Sequence, residues 1–103
     1  MATAETGFSL TVSDGARVVV TGELDLVTSP KLQEALTELL DAGSSAIEAD
    51  LTGVTFFDSS ALNVLLQTQK LVGEREVTLT ISPSRQVQRV IDLTGVAEHF
   101  TLA

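Results

Sequence analysis

Three strand-like runs, Arg17-Val18-Val19-Val20-Thr21, Ala46-Ile47-Glu48-Ala49-Asp50-Leu51 and Val77-Thr78-Leu79-Thr80-Ile81, are kept apart by stretches whose apolar residues recur every three or four positions. That alternation leaves few options. Each helical stretch is long enough to carry the chain back to the start of the next strand, and each needs a sheet against which to bury its apolar stripe, so the strands must lie parallel with right-handed crossovers. At 103 residues the chain supports one core and not two, so it reads as a single small α/β domain.

Local signals fill in the order. Phe8-Ser9-Leu10-Thr11-Val12 alternates apolar and polar, and Ser13-Asp14-Gly15-Ala16 supplies a turn into the Arg17–Thr21 run, which predicts an opening antiparallel hairpin. The alternating first run suits an edge strand, and the more uniformly apolar second run suits a strand covered on both faces. Thr28-Ser29-Pro30 marks a helix start with Pro30 at the first position. Leu32, Ala35, Leu36, Leu39 and Leu40 then trace its inner face as far as Gly43.

After Leu51, Val54, Phe56 and Phe57 read as anchors of a connecting loop. The helix after Asp58 carries Ala61, Leu62, Val64, Leu65, Leu66, Leu71 and Val72, with a narrow polar stripe at Asn63, Gln67 and Lys70, and ends at Gly73. Ser82-Pro83-Ser84 opens a third helix with Val87, Val90 and Ile91 inward, closed by Thr94-Gly95. The order is β-β-α-β-α-β-α, with a short final strand around Phe100-Thr101-Leu102.

Composition removes whole classes of function. Six basic against fourteen acidic residues give a net charge of -8, which repels phosphate backbones and anionic lipid, so neither nucleic acid nor a membrane is an expected partner. The absence of Cys excludes disulfides and thiolate chemistry, and no Tyr or Trp is available for stacking on a base. Met1 to Gly7 lacks the basic start and apolar core of a signal peptide, and no apolar run has the length of a membrane span. A cytoplasmic location is the expectation.

Chemistry concentrates where Val54-Thr55-Phe56-Phe57 gives way to Asp58-Ser59-Ser60 and a helix begins. A helix N-terminus has open N–H groups and the positive pole of the dipole, so a hydroxyl there can accept a phosphate without unfolding the domain. The plain alternative is that Asp58 or a serine is simply the N-cap. A serine hydrolase would need a base, and the one imidazole is His99 near the chain end, with no Gly-x-Ser-x-Gly pattern. No catalytic residue, metal site or cofactor is expected, since the carboxylates are scattered and the glycines stand singly. Glu23, Asp25 and Asp58 cluster near strand ends, where Asp25 also reads as a turn or capping residue. Arg85 and Arg89, one helical turn apart, read equally as a basic spot or a solvated face. A phospho-aspartate receiver domain with Asp50 at a strand end is a further α/β possibility, although such a domain opens β-α.

Taken together, Gly22-Glu23-Leu24-Asp25, Phe57-Asp58-Ser59-Ser60-Ala61-Leu62, Ile81-Ser82-Pro83 and Asp92-Leu93-Thr94-Gly95-Val96 resemble the anti-sigma factor antagonist family, the bacterial form of the STAS domain. The likeness spans nearly the whole chain, so residues 1–103 read as one STAS domain. It implies a mixed sheet with the helices largely on one face, and a regulator that is not an enzyme. It further implies an anti-sigma factor with serine kinase activity as partner: the unmodified antagonist binds it and releases the sigma factor, phosphorylation of Ser59 reverses this, and a protein phosphatase restores binding. Asp25, Asp58, Ser59, Ser60 and Asn63 are then the partner-binding residues. Ala61 stands where the family commonly has glycine, and alanine favours the helix. The alternative within the resemblance is a STAS scaffold of a transporter or signalling assembly that is never phosphorylated.

Overall fold

The computed structural model describes residues 2–5 and 7–103, the first four through their backbone alone. The chain runs β1 (Ala2–Glu5), β2 (Phe8–Ser13), β3 (Arg17–Leu24), α1 (Ser29–Asp41), β4 (Ala46–Phe57), α2 (Ser59–Glu74), β5 (Thr78–Pro83), α3 (Arg85–Thr94), a 3-10 turn (Ala97–His99) and β6 (Thr101–Leu102). The six strands form one sheet in sequential order. β1, β2 and β3 pair antiparallel, while β3, β4, β5 and β6 are parallel. The expected β-β-α-β-α-β-α order stands, with the final strand formed and one further strand, β1, ahead of it. β2 is therefore an interior strand and not the edge that its alternation suggested.

Sequential strand order has a geometric consequence. Each crossover steps the same way along the sheet, and crossovers of one hand then place every helix on the same face. Burial follows this rule: Val18, Val20, Ile47, Ala49, Leu51, Leu79 and Ile81 are buried, whereas Arg17, Thr21, Glu48 and Thr78 between them are exposed. Full burial of such an aliphatic side chain contributes roughly 1.5–3 kcal/mol, so the helix-covered side holds the core. The other face is open and polar. Ser13, Arg17, Glu48, Thr80 and Thr101 form one row across five strands. The expectation that β3 is covered on both faces fails here, because Val19, on the open side, is only half-buried.

β4 is longer than its sequence suggests. Its inward residues run Ile47, Ala49, Leu51 and then Val54 and Phe57, a change from spacing two to spacing three that reads as a loop. The pairing with β3 slips twice, between Val19 and Thr21 and between Gly22 and Glu23, so each three-residue step holds one bulged residue and the strand continues. The last pair with β5 is Leu51 with Pro83, beyond which β4 continues to Phe57 beside β3 alone. Phe56, expected as a core anchor, is 48% exposed, while Phe57 is buried. Neighbouring strand residues point to opposite faces, so only one of the two could face inward.

The helices are closed by their own termini. Ser84 Oγ accepts from Val87 N at 3.2 Å to start α3, and Gly95, at φ 71°, ends it in the left-handed conformation. α1 begins one residue earlier than expected, at Ser29, and the Thr28 hydroxyl does not cap it.

Gly22 is the tightest point of the sheet. Its φ is +90°, and a Cβ built there would lie 1.9 Å from the Gly7 carbonyl oxygen, which accepts from Glu23 N at 2.6 Å. Gly95 also needs positive φ, but nothing lies within 4 Å of its would-be Cβ. Gly22→Ala should therefore cost on the order of 2–4 kcal/mol, from strain plus overlap. Gly95→Ala should cost about 1 kcal/mol, from strain alone. Urea unfolding of the two variants checks the difference, and equal losses would contradict the overlap.

Candidate functional site

Asp58 leaves β4 in an extended conformation, φ -115° and ψ -174°, and its carboxylate turns back over the first turn of α2. Oδ1 accepts from Ser60 N at 3.0 Å and Ala61 N at 3.2 Å, so Asp58, and neither serine, is the N-cap. Ser60 Oγ donates to the same oxygen. With the cap supplied by Asp58, Ser59 is left as the first helical residue. It is exposed, and its hydroxyl makes no hydrogen bond among the described residues. Asn63 is exposed one turn further along the same helix face.

Two contacts bind this junction to the loop after β3. Asp58 N donates to Leu24 O at 3.3 Å, and Ser29 Oγ donates to Ser60 Oγ at 3.4 Å. The parallel strands thus bring residues 25–29 and 58–60 to one rim, as expected for Asp25 and Ser59. Asp25 itself is turned inward on its own loop. Its Oδ1 accepts from Val27 N at 2.9 Å and from Thr28 N at 3.0 Å. The Thr28 hydroxyl donates to Glu23 O at 2.8 Å and to Asp25 Oδ1 at 3.1 Å. This is the turn role that the sequence allowed for Asp25. The Thr28 amide, followed by the Val27 amide and the Thr28 hydroxyl, holds the Asp25 carboxyl below the ordinary aspartate value, against a smaller opposing effect of desolvation.

The sequence reading missed the apolar part of the rim. Leu26 is 76% exposed and Val27 72%, both on the Asp25–Thr28 turn, and Phe56, 48% exposed, is paired with Glu23 just before that turn. Of the four large exposed hydrophobics among the described residues, Leu26, Val27 and Phe56 lie at this end of the sheet and Leu93 is on α3. A signal was present for Leu26 and Val27, two apolar residues inside an Asp-x-x-Thr turn with no periodic partner.

Other candidates are placed away from this rim. His99 is exposed and precedes β6, whose Thr101 pairs with Thr80, so it lies toward the opposite ends of the parallel strands and offers Ser59 no base. Asp50 is inside β4 and not at its end. It accepts from Thr52 Oγ1 at 2.6 Å and Thr52 N at 3.0 Å, and from Arg17 at 2.6 Å. The Thr52 hydroxyl and amide, then Arg17, draw its pKa downward. Arg85 and Arg89 are exposed on α3. Among the described residues no group of three His, Cys, Asp or Glu could hold a metal ion, and no helix is long and apolar enough to cross a membrane.

Comparison with known proteins agrees with this fold. Residues 8–103 match the family model of the STAS domain. The chain is similar to an anti-sigma-B factor antagonist of Staphylococcus epidermidis, 31% identical over 91 residues that cover 87% of this chain and 84% of the relative. Among solved structures it is similar to an anti-sigma factor antagonist from Mycobacterium paratuberculosis, with TM-score 0.75 and 30% identity over 92% of this chain and 82% of that one. The fold also matches SpoIIAA, the Bacillus cell fate determinant, in its phosphorylated form, with TM-score 0.68 and 20% identity over 93% and 90% of the two chains.

Two measurements check the junction. Asp58→Ala should cost about 1 kcal/mol in chemical denaturation through loss of the cap, whereas Asp58→Asn should cost little, because an amide oxygen caps nearly as well. Because Asp25 titrates below its unfolded value of 3.8, the turn it organises is fully stabilised above that pH and loosens as pH falls through the lower folded value. The Val27 and Thr28 amide resonances should follow that titration, and a midpoint at or above 3.8 would contradict the assigned hydrogen bonds.

Proposed function

The chain belongs to the STAS domain family, and from that premise we propose that it is an anti-sigma factor antagonist whose binding is switched by phosphorylation of Ser59. The unmodified protein docks on an anti-sigma factor and thereby releases the sigma factor. That anti-sigma factor, acting as a serine kinase with ATP, modifies Ser59, and a protein phosphatase restores the binding form. The protein is the substrate of these reactions and not their catalyst.

One observation carries the reading: an exposed Ser59 hydroxyl, without a hydrogen bond among the described residues, stands at a helix start on the rim that also bears the exposed Leu26, Val27 and Phe56. The apolar residues supply contact area and Ser59 supplies the control. Asp58, Ser60 and Asn63 frame the contact, and Asp25 acts through the turn that presents Leu26 and Val27.

Charge makes the switch strong without refolding. A phosphoserine carries about -1.5 to -2 charges at neutral pH. Exposed at the positive end of α2, that charge is locally favourable. Covered by a partner without a matching cation it costs several kcal/mol, comparable to a large part of the ~8 kcal/mol that holds a micromolar complex. Loss of affinity with the fold retained is the expected signature.

Ser59→Asp should weaken binding to the anti-sigma factor about tenfold or more with its thermal midpoint nearly unchanged, and Ser59→Ala should bind regardless of added ATP. Phe56→Ala should also lose about tenfold in affinity at little cost in stability, since the ring is half exposed in the free protein. Calorimetric titration with the anti-sigma factor, alongside thermal melts, reads both quantities. Incubation with that kinase and ATP should add one phosphate to the wild type and none to Ser59→Ala. If several such kinases add none, the protein is instead an unmodified STAS scaffold.

A further inference from the structure

The Asp-Ser-Ser triplet presents two neighbouring hydroxyls with opposite surroundings. Ser60 Oγ donates its one proton to Asp58 Oδ1 and accepts from Ser29 Oγ at 3.4 Å, and Ser29 is itself only 3% exposed. Ser59 Oγ, one residue earlier, is exposed and unengaged among the described residues. We propose that Asp58 and Ser29 are positioning residues that select which serine of the pair takes the phosphate, by holding Ser60 Oγ in a small hydroxyl-carboxylate cluster while leaving Ser59 Oγ free. This rests on the phosphorylation proposed above.

The chemistry separates the two serines. In phosphoryl transfer the serine oxygen attacks the γ-phosphorus of ATP and the new O–P bond forms as the bond from that phosphorus to the β,γ-bridging oxygen breaks. ADP leaves with that electron pair, and the hydroxyl proton passes to a base of the kinase. The reaction needs an oxygen with an open side for in-line approach and a proton within reach of the kinase. Ser59 offers both. Ser60 is less available on both counts, because it is half-buried, its proton points to Asp58 and one lone pair faces the buried Ser29.

The product side is unfavourable as well. A phosphate on Ser60 would press a further charge of about -1.5 to -2 against the Asp58 carboxylate. Asp58 is also a poor activating base for Ser60. The same Oδ1 holds the amides of Ser60 and Ala61, so protonating it would weaken the helix cap at the moment of reaction.

The test uses the full chain, ATP and an anti-sigma factor serine kinase, with the modified residue located by mass-spectrometric fragmentation. Wild type should carry phosphate on Ser59 alone, and Ser59→Ala should carry none. Adding Asp58→Ala or Ser29→Ala to Ser59→Ala should bring phosphate onto Ser60, a change of site that a merely structural role would not produce. Asp58→Ala loses the cap at a cost of about 1 kcal/mol and remains folded, whereas Asp58→Asn keeps the accepting oxygen and should leave Ser60 unmodified. Phosphate on Ser60 while Asp58 and Ser29 are intact, or none in either the Asp58→Ala or the Ser29→Ala double variant, overturns the proposal.

If no kinase modifies the wild type, the proposed function fails, and hydroxyl exchange decides the inference by itself. In proton NMR a Ser60 hydroxyl protected from exchange with water, beside an unprotected Ser59 hydroxyl, supports the cluster. Equal exchange of the two overturns it.

Discussion

Burial on one side of the sheet is the constraint from which the rest follows. Six strands in sequential order, linked by crossovers of one hand, gather all three helices over Val18, Val20, Ile47, Ala49, Leu51, Leu79 and Ile81. The opposite side needs only polar residues able to meet water, and it has them in the Ser13–Arg17–Glu48–Thr80–Thr101 row. Its ion pair between Arg17 and Asp50, at 2.6 Å on a half-exposed guanidinium, contributes at most about 1 kcal/mol and sets local order more than stability. Parallel pairing of β3 and β4 also brings the loop after one and the helix after the other to a common rim.

At that rim each polar residue has a distinct task. Asp58 satisfies the amides that open α2, Asp25 and Thr28 fold the preceding loop, and Ser29 joins the two pieces through Ser60. Because these duties are met by neighbours, the Ser59 hydroxyl is left without one. A side chain free of structural work can be modified without loss of the fold, which lets a strong capping motif coexist with the switch proposed for Ser59. In the sequence, the structural and functional readings of Asp-Ser-Ser compete; in the fold the capping role belongs to Asp58.

Most of the architecture was legible in the chain because strand and helix periods differ sharply. The helical spacing of Leu32, Ala35, Leu36 and Leu40, and of Ala61, Leu62, Leu65 and Val72, matches what is buried. Legibility failed where period two was interrupted. The three-residue steps from Leu51 to Val54 to Phe57 imitate a loop, and only the pairing with β3 reveals a bulged strand and an outward Phe56. β1 was not foreseen, and the both-faces expectation for β3 misread β-branched content as double burial. For the candidate site, residue identity and position pointed to Ser59, Asp58 and Asp25, whose segments the fold brings to one rim. The prominence of Leu26 and Val27 depends on a turn whose shape no periodicity encodes.

β4 extends past its last pair with β5 and is paired there with β3 alone, so the start of α2 follows a strand end with one hydrogen-bonded neighbour. A charge placed on the exposed Ser59 would leave Phe57, Ala61 and Leu62 beside it in the same buried surroundings. If Ser59 takes the phosphate proposed for it, a small domain with a thin stability margin can be written on and erased repeatedly without approaching its unfolding threshold.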